Sequence, residues 1–438
     1  MSYRKRFVEW CQQPSRIKIR TYNPRNFIVL ITAFIILASS GGLVVQRVMI
    51  PPPPVTYFIP EFFETLTITT NTTLTRDYVN TTIVIAADGV TLDGDGYMII
   101  GPGSYFLGDL VLDPNDPEHS TVPWEEFNKT VGIFLEGRTG VTIKNCSVTG
   151  FSVGIFLTGS EGNTLQGNTA NDNTNGFKLM EKSDRNTLRG NTADNNGGGF
   201  YLEESDGNTL NGNTANDGGT GFMLLWSDGN SLEANTANDN EVFGFYIVES
   251  SQNSFEGNTA NNNDHFGFWS IDTSNDIFLD NSANDNPRGF HFSDSFGNIL
   301  QGNTANNNEE GFGLERSDGN SLEANTATNN THTGFHILFS SSNNTLTGNT
   351  ASHNECGICY GTTDESSPNN RIYHNNFVNN LQHVNIQNTV NTWDDGYPSG
   401  GNYWSDYTGV DVDGDGIGET PYVIDENNMD RFPLMTPI

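Results

Sequence analysis

Basic residues are scarce in this chain: 20 Lys and Arg stand against 53 Asp and Glu in 438 residues, a formal net charge of −33. A surface of that sign repels nucleic acid, which excludes it as a partner, and it disfavours polyanionic glycans and anionic membrane surfaces while attracting cations. Cysteine is almost missing, with Cys11, Cys146, Cys356 and Cys359 alone, so no disulfide framework holds the fold. Helical periodicity is absent as well. From Asn163 onward Asn, Asp, Gly, Ser and Thr interrupt every apolar run, which excludes helical solenoids.

What fills the chain instead is a repeat. The motif Asn163-Thr-Leu-Gln-Gly-Asn-Thr-Ala170 recurs with its central Asn at 168, 191, 213, 235, 258, 281, 303, 325 and 349, at spacings of 22 to 24 residues. In step with it runs Gly followed by an apolar residue, as in Gly176-Phe177, Gly199-Phe200, Gly221-Phe222 and Gly244-Phe245. A fixed period of this size means a solenoid whose units bury their apolar faces against their neighbours. Phe177 and Leu179, Phe200 and Leu202, Phe222 and Leu224 alternate with a period of two, so each unit holds a strand with one buried face. The expected fold is all-β: a right-handed single-stranded parallel β-helix of about 22 to 23 residues per coil, each with a G-F-x-L strand, a turn and an N-T-L-x-G-N strand. Like residues of successive coils then lie above one another, and Asn168, Asn191, Asn213 and their successors form an amide ladder along the stack.

Residues 1–26 form a basic tail with seven Lys or Arg, and 27–49 an apolar segment whose uncharged run from Phe27 to Val45 is long enough for a transmembrane anchor. The charge asymmetry places the N-terminus in the cytoplasm and the remainder in the extracellular or periplasmic space. A Pro-rich linker at 50–60 follows, then the first coils with an excursion loop at 61–130, regular coils at 131–380, and a cap at 381–438.

Three features are candidates for chemistry. The segment Asp411-Val-Asp413-Gly-Asp415-Gly-Ile417-Gly-Glu419 matches the first part of a calcium loop, which points to structural calcium held by Asp411, Asp413, Asp415, the Ile417 carbonyl and Glu419. Alternation puts Phe156, Lys178, Tyr201, Met223, Tyr246, Trp269, His291, Gly313, His336 and Cys359 in one outward column. Tyr201, Tyr246 and Trp269 then form a ligand-binding strip for a glycan or a cell-surface protein, with cover by the 104–130 loop as the plainer alternative. His353, Cys356, Cys359, His374 and His383 are of types that bind copper, but their spacings match no compact site. Cys356 and Cys359 begin a coil strand, where residues three apart face opposite sides, so they are expected to be separate thiols. For catalysis the recurring acids Asp172, Asp217, Asp239 and Asp285, and Glu181, Glu204, Glu249, Asp272 and Asp294, are repeated turn positions, and the sequence shows no distinct catalytic cluster.

Val90 to Gly96, Gly137 to Asn145, Asn370 to Phe377, and Gly401 to Gly409 running into Asp411 to Asp425 resemble the NosD-type right-handed β-helix proteins, over about residues 61–438. That resemblance implies a periplasmic copper-binding accessory role in maturing nitrous oxide reductase, and a related grouping of carbohydrate-binding and sugar-hydrolase proteins. With no distinct catalytic cluster and an outward aromatic strip, the expected function is non-enzymatic surface binding or assembly by a membrane-anchored β-helix. The copper accessory role and polysaccharide modification by a hydrolase, lyase or epimerase stand as alternatives.

Overall fold

The structure, a computed structural model, describes residues 64–103, 131–361, 366–386 and 388–438. The basic tail, the apolar segment at 27–49, the linker and the excursion loop, 104–130, lie outside the described residues. Every regular element among the described residues is a β-strand, and no helix there is long and apolar enough to cross a membrane.

The repeat folds as a parallel β-solenoid, and each coil lays down strands in fixed order. A six-residue strand such as Asn175–Met180 enters a 14-stranded sheet; a three-residue strand such as Thr187–Arg189 enters a 13-stranded sheet. A third side was not expected from the sequence. It is built from segments of two or three residues, the T-A-N triplets Thr169–Asn171 and Thr304–Asn306 among them, in two stretches of four and five strands. Single bridges from Thr169↔Thr192 to Ser282↔Thr304 join those stretches. Three residues around one buried Ala give too little alternation to show as a strand in sequence.

Repeat position pairs with repeat position: Phe177 with Phe200, Leu179 with Leu202. The inward phenylalanines from Phe177 through Phe200, Phe222, Phe245, Phe268, Phe290 and Phe312 to Phe335 therefore stack face to face, with centroids 4.5–5.1 Å apart and planes within 9°. That spacing is the interstrand distance, so backbone pairing and ring stacking reinforce each other.

Polar corners are satisfied the same way. Asn168 Nδ2 donates to Asn191 Oδ1 at 3.0 Å, and the chain of amides continues link by link to Asn375 and Asn402. Each Nδ2 also donates to a carbonyl and each Oδ1 accepts a backbone N–H, as Asn191 does with Leu165 and Asn168. A buried amide with every valence used stabilises a turn that would otherwise leave orphaned backbone groups. Two further ladders run through Asn163 and Asn186 and through Asn240 and Asn263. The repeated acids Asp172, Asp217, Asp239 and Asp285 sit at φ of 56–58°, and Glu181, Glu204, Glu249, Asp272 and Asp294 at 47–53°, so both series occupy left-handed turn positions.

The stack closes on Trp393 and Trp404, both buried, with Trp404 stacked between Phe377 and Tyr422 at 4.5 and 4.3 Å. Asp430 ends the main ladder by accepting from Asn402 N at 2.7 Å and Trp404 Nε1 at 2.9 Å, and burial pushes its carboxyl up to about 6. Asn428 ends a second one by accepting from Asn391 N.

Candidate functional site

The glycine before each inward Phe decides what the long sheet shows to the outside. A Cβ at Gly176 would lie 2.8 Å from Ala193 Cβ and from the Gly199 carbonyl oxygen, so only glycine fits. The register steps over it, pairing 175 with 198 and then 177 with 200. The pleat slips there, and the residue before the glycine faces outward together with the residue two after it. Phe243 and Tyr246 thus stack at 4.9 Å, and Phe266 and Trp269 at 4.7 Å.

The same slip overturns the expectation of two separate thiols: Cys356 and Cys359 flank Gly357, face the same side and are joined in a disulfide. Cys146 stays a free thiol, buried, and burial raises its pKa to about 12.

Along this outward face the coils differ. Val131, Phe134, Val153 and Phe156 form a buried apolar cluster at one end. Next, Lys178 Nζ lies 4.5 Å over the Tyr201 ring, and Tyr201 is only 8 % exposed with its phenol raised by burial and by Glu203. Tyr201 therefore does not belong to an open strip. Tyr246 and Trp269 remain half-buried, 5.3 Å apart, packed on the buried Phe243 and Phe266; burial pushes the Tyr246 phenol up to about 12. The expected alternative, cover by residues 104–130, lies outside the described residues.

The aromatic group runs directly into a charged one. Arg288 stands 5.1 Å over the Phe266 ring, and its Nε is 3.1 Å from Glu310 Oε2. Glu310 Oε1 is 3.2 Å from His336 Nδ1, close enough for an ion pair but without the alignment of a hydrogen bond. On the next row His291 Nε2 lies 3.4 Å from Glu315 Oε2, and Arg316 bridges Glu315 and Asp294 at 2.8 and 2.9 Å. Burial alone would raise both glutamates. For Glu310 the neighbouring His336, Arg288 and His291 outweigh it; for Glu315 His291 and Arg316 do, and each carboxyl is held at about 2. Burial lowers His291. Both carboxylates are therefore ionised acceptors at neutral pH.

Sequence inspection placed His291, Gly313 and His336 on this face but missed Arg288, Glu310, Glu315 and Arg316 beside them. Their signal was a change at fixed repeat positions: where neighbouring coils carry Phe243 or Phe266 and Val248 or Ile271, these carry Arg288 or Glu310 and Ser293 or Glu315. Beyond it, next to the disulfide, lies a cleft of about 510 Å³ lined by His332, Thr333, Glu355, Cys356, Cys359, Leu381, Gln382 and Asn385.

Metal candidates fare differently. Of the predicted calcium ligands, Asp411, Asp413 and Glu419 bring carboxylate oxygens within 4.8 Å of one another, whereas Asp415 is not in that group and accepts from Ile417 N. The Ile417 side chain is buried. Asp411 accepts from the N–H groups of Gly414, Asp415 and Gly416, and these, Gly416 foremost, hold its carboxyl below the usual range. The copper candidates do not fit a metal site. Cys356 and Cys359 spend their sulfurs on each other, His374 Nε2 contacts the Ser399 carbonyl at 2.8 Å, and His383 Nε2 lies 3.3 Å from Asp406. His353 contacts Asn379, and no three of these groups converge.

Comparison with known proteins agrees with the fold. The A-module of the Azotobacter vinelandii mannuronan C-5 epimerase AlgE6 superposes with a TM-score of 0.50 at 13% identity, over 76% of this chain and 90% of that one. A periplasmic alginate epimerase, AlgG, superposes at 0.46 and 14% identity over 60% and 76%. The catalytic domain of a GH87 alpha-1,3-glucanase in complex with nigerose reaches 0.36 at 13% over 74% and 64%. No curated protein matches the sequence. The sequence does match the family described as "Periplasmic copper-binding protein (NosD)", at residues 114–279 and 265–409. With more than half of its length matched and its coils folded as a parallel β-solenoid, the chain belongs to the NosD family.

Proposed function

We propose that this protein is a glycan-binding β-helix displayed outside the cytoplasm, non-enzymatic, with the outward face of its long sheet as the binding surface. The observation that carries this reading is the pair Tyr246 and Trp269, half-buried rings on a face turned away from the core, backed by the buried Phe243 and Phe266 and adjoining charged acceptors. Flat rings stack on the apolar faces of sugar rings, and ionised carboxylates accept from their hydroxyls. The periplasmic description of the family and the sugar-modifying functions of proteins with similar coils are in keeping with this reading, as is a membrane anchor at 27–49. A structural calcium ion at Asp411, Asp413 and Glu419, within the cap, is part of the proposal.

The test is a glycan array probed with the full chain and with a Tyr246→Ala/Trp269→Ala variant. Binding by the former and loss in the latter supports the reading. No binding by either, or equal binding by both, removes it, and a surface protein becomes the better partner.

A further inference from the structure

Beside the aromatic group, the charged cluster contains polar atoms that the protein leaves unsatisfied. Trp269 Nε1 and His291 Nδ1 are buried and without a hydrogen-bond partner, although nearly all such atoms in native proteins have one. His291 is 5% exposed, and Gly313 on the adjacent strand makes room for it: a Cβ there would collide with His291 Nδ1. Glu315 is ionised and can only accept, so His291 Nε2 carries the proton facing it and Nδ1 is an acceptor without a donor. Trp269 Nε1 is a donor without an acceptor. An orphan donor and an orphan acceptor on neighbouring strands are both answered by hydroxyl groups, which donate and accept. A ligand carboxylate can only accept. It would also face a cluster in which three carboxylates, Asp294, Glu310 and Glu315, share two arginines, Arg288 and Arg316, and which therefore repels a further anion.

Resting on the glycan-binding reading, we propose that Arg288, His291, Glu310, Gly313, Glu315 and His336 form the specificity-determining subsite of this face, and that it takes a neutral, hydroxyl-rich oligosaccharide and rejects a polyuronate. The His291 ring occupies the space that Gly313 leaves and offers Nδ1 to a sugar hydroxyl, Trp269 stacks the preceding ring, and the paired carboxylates accept from the remaining hydroxyls. The chain's net charge of −33 acts in the same direction at long range.

Calorimetric titration of the full chain with mannohexaose, cellohexaose and hexamannuronate tests this. At least one neutral hexasaccharide is expected to bind ten-fold or more tighter than hexamannuronate. Gly313→Ala, whose Cβ would displace the His291 ring, weakens that binding at least ten-fold, and Glu310→Gln, which keeps the shape and removes one charge, narrows the gap between neutral and acidic sugars. If Gly313→Ala does not fold, Glu310→Gln carries the test alone. Equal or tighter binding of hexamannuronate that still depends on Trp269 overturns the subsite and leaves the aromatic reading standing. Binding of none of the three overturns the subsite, and the array then decides the glycan reading by itself.

Discussion

The two sides of one sheet follow opposite rules. Inward, coil after coil repeats the same residue, and Phe177 to Phe335 stack at a single spacing. Outward, at positions one residue before and two after the same glycines, the coils run from Val153 and Phe156 through Phe243 and Tyr246 to Arg288 and His291, then Cys356 and Cys359. Repetition inside is what stacking requires, because a coil is stabilised only by neighbours that match it. Stacking does not require variation outside, so the outward differences are where a ligand can be recognised.

Several changes would break or sharpen this contrast. Phe268→Ala removes a fully buried ring stacked between Phe245 and Phe290, and it should cost about 3–5 kcal/mol in denaturant unfolding. A loss below about 1 kcal/mol would mean that the inner column does not hold the coils together.

Asp276 is a flaw in an inner ladder. It stands where other coils have Asn, it accepts from Asn253 N, and its Oδ2 and the Asn298 Nδ2 have no partner. Burial pushes its carboxyl up to about 7 from an unfolded value of 3.8. The folded state then holds a proton that the unfolded state has released, so stability is greatest below about pH 4 and falls as pH rises through about 7. Asp276→Asn should remove that slope and stabilise the protein by up to about 4 kcal/mol at pH 8, measured by thermal unfolding across pH. An unchanged slope would show that Asp276 is hydrated in the folded protein.

On the outer side, Tyr246→Ala/Trp269→Ala should weaken glycan binding about 100-fold, near 2.7 kcal/mol, with a smaller loss of stability because both rings are half-buried. The smallest effect belongs to the cap. Millimolar calcium should stabilise the protein by about 1 kcal/mol, and Asp411→Ala should abolish that increment in differential scanning calorimetry.

What was legible in sequence follows the same division. The period, the parallel coils and the ladder from Asn168 were readable because identical residues at fixed spacing can only stack. The outward face was half readable. Simple alternation found Tyr246, Trp269, His291 and His336, but it could not show that glycine slips the pleat and brings Phe266, Arg288, Glu310 and Cys356 onto the same side. It also counted Tyr201 as open, because no pattern in the sequence records the Lys178 side chain lying over its ring. The third side of the coil escaped for a different reason: its strands, such as Thr326–Thr328, are three residues long with one buried Ala.

The most direct test of the central claim is a calorimetric titration of the full chain and of Tyr246→Ala/Trp269→Ala with a glycan recognised on the array, both proteins having matching circular dichroism. A loss of about 100-fold with the fold intact is the predicted result. Binding that is unchanged when both rings are gone would contradict it, and would move recognition away from this face.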